Sequence, residues 1–185
     1  MRTIEFRRLG REDFSTLSTW LARPHVARWW CDPHDLAALE AQYGRSIDRT
    51  DPTEVFIVEQ NHEPIGLIQR YSSADDPAWR RMLDSAGISD VCIGIDYLIG
   101  EEAMTGRGLG PDIIERFVED TWGRYTNVSS IAVAIQQENR ASWRAVEKSG
   151  FRRVWAGVID SEHPSDAGPS YVYVRSRSAR LPDPA

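Results

Sequence analysis

Two short stretches of this chain carry residues whose types and spacing could do chemistry. In TGRGLGPDII at 105–114, Gly106, Gly108 and Gly110 fall on alternate positions directly ahead of an apolar helical pattern. Glycine accepts positive φ and lets a backbone approach a ligand closely. A helix start offers unpaired N–H groups at the positive end of a dipole, so such a loop suits phosphate or pyrophosphate. Arg107 adds a full positive charge. The second stretch is VCIGIDYLI at 91–99, an apolar strand interrupted by Asp96. Alternation points Val91, Ile93, Ile95, Tyr97 and Ile99 one way and Cys92, Gly94, Asp96 and Leu98 the other. A carboxylate in a central strand is costly unless it is satisfied or used. It either bonds a neighbouring backbone group or accepts a proton in a reaction.

These residues need elements to hold them. Residues 2–9 alternate as a first strand, and 12–22 place Phe14, Leu17, Trp20 and Leu21 at helical spacing until Arg23-Pro24 stops the pattern. HVARWW at 25–30 is a short helix or turn ending in Trp29 and Trp30. A helix over 35–47 has Leu36, Leu39, Tyr43 and Ile47 on one face. EVFIVEQ at 54–60 and PIGLIQRYS at 64–72 are strands joined by Asn61-His62-Glu63. Residues 73–90 form a long polar loop with Asp75, Asp76, Trp79 and Asp84, with room for a helical turn at 78–85. After the glycine loop come a helix at 111–122 and a strand at 129–135. A helix at 139–149 follows, with Asn139 as N-cap and Gly150 as its stop. Strands at 151–159 and 170–176 close the domain, and 178–185 are expected to fray. This order predicts an α/β (α+β) chain, a mixed sheet with helices on its faces, in one domain over 1–177.

The 185 residues are 41% hydrophobic, ordinary for one globular core, and the net charge of −6 argues against nucleic acid and for a cationic ligand. Apolar runs are too short for a membrane span. The N-terminus lacks a signal-peptide core, and Cys31 and Cys92 make no disulfide framework, so a cytoplasmic location is expected. His25, His34, His62 and His163 show no metal spacing and read as surface or loop residues. No metal is expected.

Three phosphate-loop patterns compete for TGRGLG, beside an ordinary flexible turn. A Walker loop requires Gly-Lys-Ser/Thr, which is missing. A dinucleotide fingerprint requires G-x-G-x-x-G in an early βαβ unit, whereas here the spacing is G-x-G-x-G after a mid-chain strand. The third pattern is Q/R-x-x-G-x-G/A, which the loop matches with Thr105 in the first slot. It resembles the pyrophosphate loop of the GNAT acetyltransferases. About 30 residues later, ENRASWRAVEKSGF at 138–151 is similar to that family's second signature through Asn139, Glu147, Lys148, Gly150 and Phe151. WLARPHVARWW at 20–30, GIDYLIGEEAMTGRGLG at 94–110 and AGPSYVYVRSR at 167–177 further resemble the aminoglycoside 6'-N-acetyltransferases. The first of these segments is also shared with siderophore lysine and hydroxylysine acetyltransferases.

The resemblance implies a GNAT fold, mostly antiparallel, with a splay between the fourth and fifth strands, and acetyl-CoA as donor. Leu98 and Ile99 would offer backbone N–H groups to the pantetheine and thioester carbonyl. Thr105, Gly106, Arg107, Gly108, Leu109, Gly110 and Pro111 would hold the pyrophosphate. Asn139 would bind the pantetheine region, and Trp143 would pack on the donor or on the core. Asp96 would be the base. A cationic amine would meet Trp30, Tyr43, Asp75, Asp76 and Asp166, with Asp32 and Trp79 as further candidates. Of Trp29 and Trp30, one is expected in the core and one in the cleft. Arg70 and Arg80 are the basic residues that would instead suit a carboxylate-bearing amine. Two positions depart from the family pattern: Val146 fills the slot of the tyrosine that protonates the leaving thiolate, and Ala134 replaces an acidic residue. The expected activity is acetylation of an aminoglycoside 6'-amine, conferring antibiotic resistance, by a monomer or homodimer. The alternatives are acetylation of another small amine, such as a lysine-type siderophore precursor, and a non-catalytic acyl-CoA-binding module.

Overall fold

The computed structural model describes residues 3–88, 90–161 and 164–177. The expected frayed tail, 178–185, and His163 lie outside them. In chain order the elements are β1 (Ile4–Arg8), α1 (Phe14–Leu21), α2 (Pro24–Trp30), α3 (Leu36–Ile47), β2 (Glu54–Gln60), β3 (Glu63–Ser72), α4 (Pro77–Ser85), β4 (Ile93–Ile99), α5 (Leu109–Arg124), β5 (Ser130–Gln136), α6 (Arg140–Lys148), β6 (Arg152–Ile159) and β7 (Gly168–Ser176). The strands form one sheet in the order β1-β2-β3-β4-β5-β7-β6. Every neighbouring pair is antiparallel except β4–β5.

Two expectations shift. The polar stretch 73–90 condenses into α4, because Asp76 accepts from the Ala78 and Trp79 N–H groups and Pro77 occupies the first helical position, which suits proline. α5 begins at Leu109, so Gly110 lies inside the helix rather than in the loop.

The parallel pair creates the gap. β4 and β5 pair only at Ile93↔Ile131 and Gly94↔Ala132, then diverge as β4 runs on to Ile99. The ladder phase identifies the backbone groups left open. The Ser73 N–H donates to the Cys92 carbonyl and the Gly100 N–H to the Ile65 carbonyl, and the β3–β4 register runs unbroken between them. Even-numbered β4 residues therefore bond β3, and odd-numbered ones face the splay.

Helices cover both faces. On one, α5 and α6 bury Ile113, Ile114, Phe117, Val118 and Val146 against Ile93, Ile95, Ile131 and Val133. Phe117 meets Phe6 and Phe56 edge to face at 5.0 and 5.4 Å. On the opposite face the apolar surface is divided. One cluster joins Leu17, Trp20, Leu39 and Tyr43 to Ile57, Leu67 and Leu98. The other joins Leu83 of α4 to Cys92, Ala132 and Val172. Between them, by strand alternation, β3 and β4 present Gln69, Tyr71 and Asp96.

Candidate active site

The glycine loop holds the geometry its sequence calls for. Gly106 and Gly108 have φ of +70° and +76°, and no heavy atom lies within 4 Å of a Cβ placed on either. Gly108 is the N-cap of α5 and has no side chain to cap it, so the first-turn N–H groups of Leu109 and Gly110 stay available to an anion. Gly110 serves packing instead: a Cβ there would lie 3.1 Å from Ala145 Cβ, where α5 meets α6. Pro111 has no N–H and cannot join an amide cradle, and its carbonyl accepts from Ser149 Oγ at 3.3 Å. Thr105 turns its hydroxyl back to the Glu102 carbonyl at 2.8 Å. Arg107 is exposed beside the loop, and the Leu109 side chain is buried in the core.

The splay presents its own donors. Leu98 is an even-numbered residue, so its N–H belongs to the β3 ladder. Ile99 and Tyr97 face the gap. Across it, the Tyr97 hydroxyl lies 2.9 Å from Ser142 Oγ and donates to the Ser142 carbonyl at 3.2 Å. Burial pushes this phenol up to about 12, so it stays protonated. Val146, one turn further along α6, is fully buried in the core and offers no proton. Asn139 caps α6 by accepting from the Ser142 N–H at 3.2 Å, which leaves its amide nitrogen to donate. Trp143 is half-buried, meets Tyr171 edge to face at 6.5 Å and donates to the Gln137 carbonyl, which is a packing role.

Asp96 sits on the helix-divided face beside the gap. Gln69 Nε2 donates to its Oδ2 at 3.0 Å. Burial raises its carboxyl to about 6, against the Gln69 bond and with the charges of Asp166 and Asp32 adding to the rise. Tyr71 stands opposite Gly94 on the same face, and its phenol is pushed well up by burial and by the charges of Asp96 and Asp166. Gly94 makes this possible, because a Cβ there would collide with the Tyr71 ring. Tyr43 is buried, and its phenol is likewise raised by burial and by Asp32 and Asp96. Asp32 enters from the end of α2, where Cys31 closes the helix at φ +58°. The charges of Asp32 and Asp166, both on loops, thus act on Asp96 of β4.

Other expected contacts resolve differently. Asp76 is spent on the α4 cap, and Asp75 is exposed in the turn before it. Trp29 and Trp30 are both half-buried. Trp29 lies under the Arg28 guanidinium at 4.6 Å, while Trp30 packs on the α1–α3 cluster, so neither is a core residue. Arg70 points to the opposite face, buried and bound to Glu54 at 2.5 Å and Asp120 at 2.6 Å. Arg80 is tied to Asp84 and to the Asp90 and Ile88 carbonyls. Neither supplies a base beside Asp96. Gln69 and Tyr71 escaped sequence reading; their spacing of two on β3 opposite Gly94 and Asp96 was the available signal. His25 also departs from a surface assignment, since its Nε2 lies 3.0 Å from the Ile99 carbonyl oxygen.

The sequence profile described as the acetyltransferase (GNAT) domain matches residues 10–157. The aminoglycoside N(6')-acetyltransferase type 1 of Klebsiella pneumoniae is 28% identical over 182 residues, covering 96% of this chain and 85% of that protein. A crystal structure of aminoglycoside acetyltransferase AAC(6')-Ib with coenzyme A superposes with a TM-score of 0.79 at 28% identity, covering 95% of each chain. The same enzyme with coenzyme A and kanamycin gives 0.78, with the same identity and coverage.

Proposed function

The chain belongs to the GNAT acetyltransferase family, and from that premise we propose that it transfers the acetyl group of acetyl-CoA to the 6'-amine of an aminoglycoside. One observation carries the acceptor assignment: the charges of Asp32 and Asp166 act on Asp96 beside the splay, while Arg70 and Arg80 are engaged elsewhere. A polycation relieves the repulsion among these groups, whereas an amine carrying its own carboxylate adds to it. The relatives named for N(6') acetylation support the same class.

The residues present fit the donor. Gly106 and Gly108 leave open space, and α5 begins with unpaired amides. Acetyl-CoA supplies a thioester carbon open to attack. The outward-facing N–H groups of Ile99 and Tyr97 stabilise charge developing on the carbonyl oxygen. Asp96, with its carboxyl near 6, is ionised at neutral pH and close enough in basicity to take a proton from an ammonium or tetrahedral intermediate. The amine nitrogen forms the new C–N bond, its proton passes to Asp96, and the C–S bond breaks. The thiolate, with a pKa of roughly 8.5 by analogy with free thiols, leaves without a donor at Val146. Gln69 fixes the carboxylate.

Thiol release from acetyl-CoA with kanamycin or tobramycin tests the proposal, with a 6'-hydroxyl aminoglycoside as control. Release with the 6'-amino compounds alone is expected. No release above background with any 6'-amino compound overturns it. Turnover of lysine-type amines would favour the siderophore-precursor reading, and acetyl-CoA binding without turnover of any amine would favour a non-catalytic module.

A further inference from the structure

The C-terminal end of β4 is held by an unusual set of side chains. Past Gly94 this strand has no β5 beside it, and an unpaired strand edge leaves N–H and C=O groups without ladder partners. The α1–α2 corner takes their place. The Trp20 ring covers Gly100, where any Cβ would collide with the indole, and its Nε1 donates to Glu101 Oε1 at 2.9 Å. Arg23 donates to the Gly100 carbonyl at 2.7 Å and to Glu101 Oε2 at 2.8 Å. His25 Nε2 reaches the Ile99 carbonyl at 3.0 Å. α2 also spans the gap, since Arg28 lies 3.8 Å from Glu138 in the β5–α6 connection.

The His25 contact has a specific geometry. A carbonyl only accepts, so Nε2 carries the proton and Nδ1 does not serve this bond. In an extended strand the N–H and C=O of one residue point to the same side. The Ile99 carbonyl faces the splay, so the imidazole stands where β5 would have continued, beside the Ile99 N–H. Nδ1 is buried and makes no hydrogen bond among the described residues.

We infer that His25 is a positioning residue for the acyl donor: by holding the Ile99 carbonyl from inside the splay, it fixes the backbone of Ile99 in its extended conformation, so that the N–H on the same side of that residue meets the thioester oxygen. This rests on the acetyl-CoA reading of the splay. The role acts through Ile99 and requires no proton transfer by the imidazole. It also ties donor alignment to α2, the helix that ends in Trp30 and leads to Asp32 on the acceptor side.

The test compares acetyl-CoA with CoA, which differ by the acetyl group, in calorimetric titrations of the wild type, His25→Ala and His25→Gln. Loss of one neutral hydrogen bond corresponds to about a five- to tenfold effect. His25→Ala is expected to weaken acetyl-CoA by about that factor while CoA binds as in the wild type. Glutamine presents an N–H close to the Nε2 position and is expected to recover most of the loss. In turnover, His25→Ala should raise the acetyl-CoA KM and leave the amine KM unchanged. Equal weakening of CoA and acetyl-CoA, no change in either, or no recovery with glutamine overturns the inference. The titrations need no acceptor, so a wild type that acetylates no amine would sink the aminoglycoside proposal and leave this comparison intact.

Discussion

Replacing Asp96 with asparagine should make the protein more stable and nearly inactive, and the stability change should depend on pH in a defined direction. The Asp96 carboxyl is raised by burial from an ordinary 3.8 to about 6. At about 1.4 kcal/mol per pH unit, holding this group ionised in the fold costs on the order of 3 kcal/mol. The folded state binds the extra proton between about pH 4 and 6, so wild-type stability gains from this group as pH falls through that window. Asparagine has the same shape, carries no charge, and can accept from Gln69 Nε2 with its carbonyl. Asp96→Asn should therefore exceed the wild type by about 1–3 kcal/mol at pH 8 and by almost nothing at pH 4. For a chain of this length each kcal/mol moves Tm by about 2–4 °C, so paired denaturation curves at the two pH values resolve the effect. Turnover at pH 8 should fall by about 10²–10⁴ with acetyl-CoA affinity retained. A variant that is destabilised at pH 8, or shifted equally at both pH values, refutes the claim that burial and neighbouring carboxylates strain Asp96.

Three further outcomes follow from the same geometry. In the wild type, kcat/KM for the amine should rise with pH through about 6 as Asp96 loses its proton, a limb that a pH–rate profile reads and that Asp96→Asn should lack. Gly106→Val, at φ +70°, should strain the loop by about 1–2 kcal/mol and raise the acetyl-CoA KM without changing the amine KM. The control is Gly87→Val, with a φ of +78° and no neighbour within 4 Å, which should carry similar strain and leave both KM values alone. Arg70→Ala should destabilise by up to about 3–5 kcal/mol in chemical denaturation, because it removes the one buried arginine bound to Glu54 and leaves that carboxylate only the more exposed Arg8 and Arg124. Burial would raise the Glu54 carboxyl, but Arg70, Arg8 and Arg124 hold it below its ordinary value. Its stabilisation is therefore present above the unfolded pKa and lost as pH falls through the lowered one, the opposite sign to Asp96.

Most of the fold was readable because periodicity was strong where burial was strong. The 91–99 run separated into an α5-facing set and an Asp96-facing set as its alternation required, and Asn139 and Gly150 bounded α6. α4 was harder because it buries only Leu83 fully, so its apolar pattern is thin and its cap, Asp76-Pro77, is the clearer sign. The glycine loop was readable because positive φ demands glycine. The acceptor side was not, because it is assembled across strands. Gln69 and Tyr71 depend on the β3–β4 register, and Asp76 resembles a cleft acid until its cap is seen. Arg70 lies within two residues of both, yet strand alternation sends it to the other face. His25 looked like a loop residue because nothing in local sequence shows that α2 folds back over the end of β4.

The central claim is that this acidic cleft delivers an aminoglycoside 6'-amine to the thioester at the end of β4. The most direct measurement is the NMR assignment of the acetyl position on kanamycin after incubation with acetyl-CoA and the enzyme. A single product with the acetyl group on the 6'-nitrogen, absent with Asp96→Asn, is the predicted result. An acetyl group on any other amine, or unmodified kanamycin beside a turned-over lysine-type amine, would contradict it.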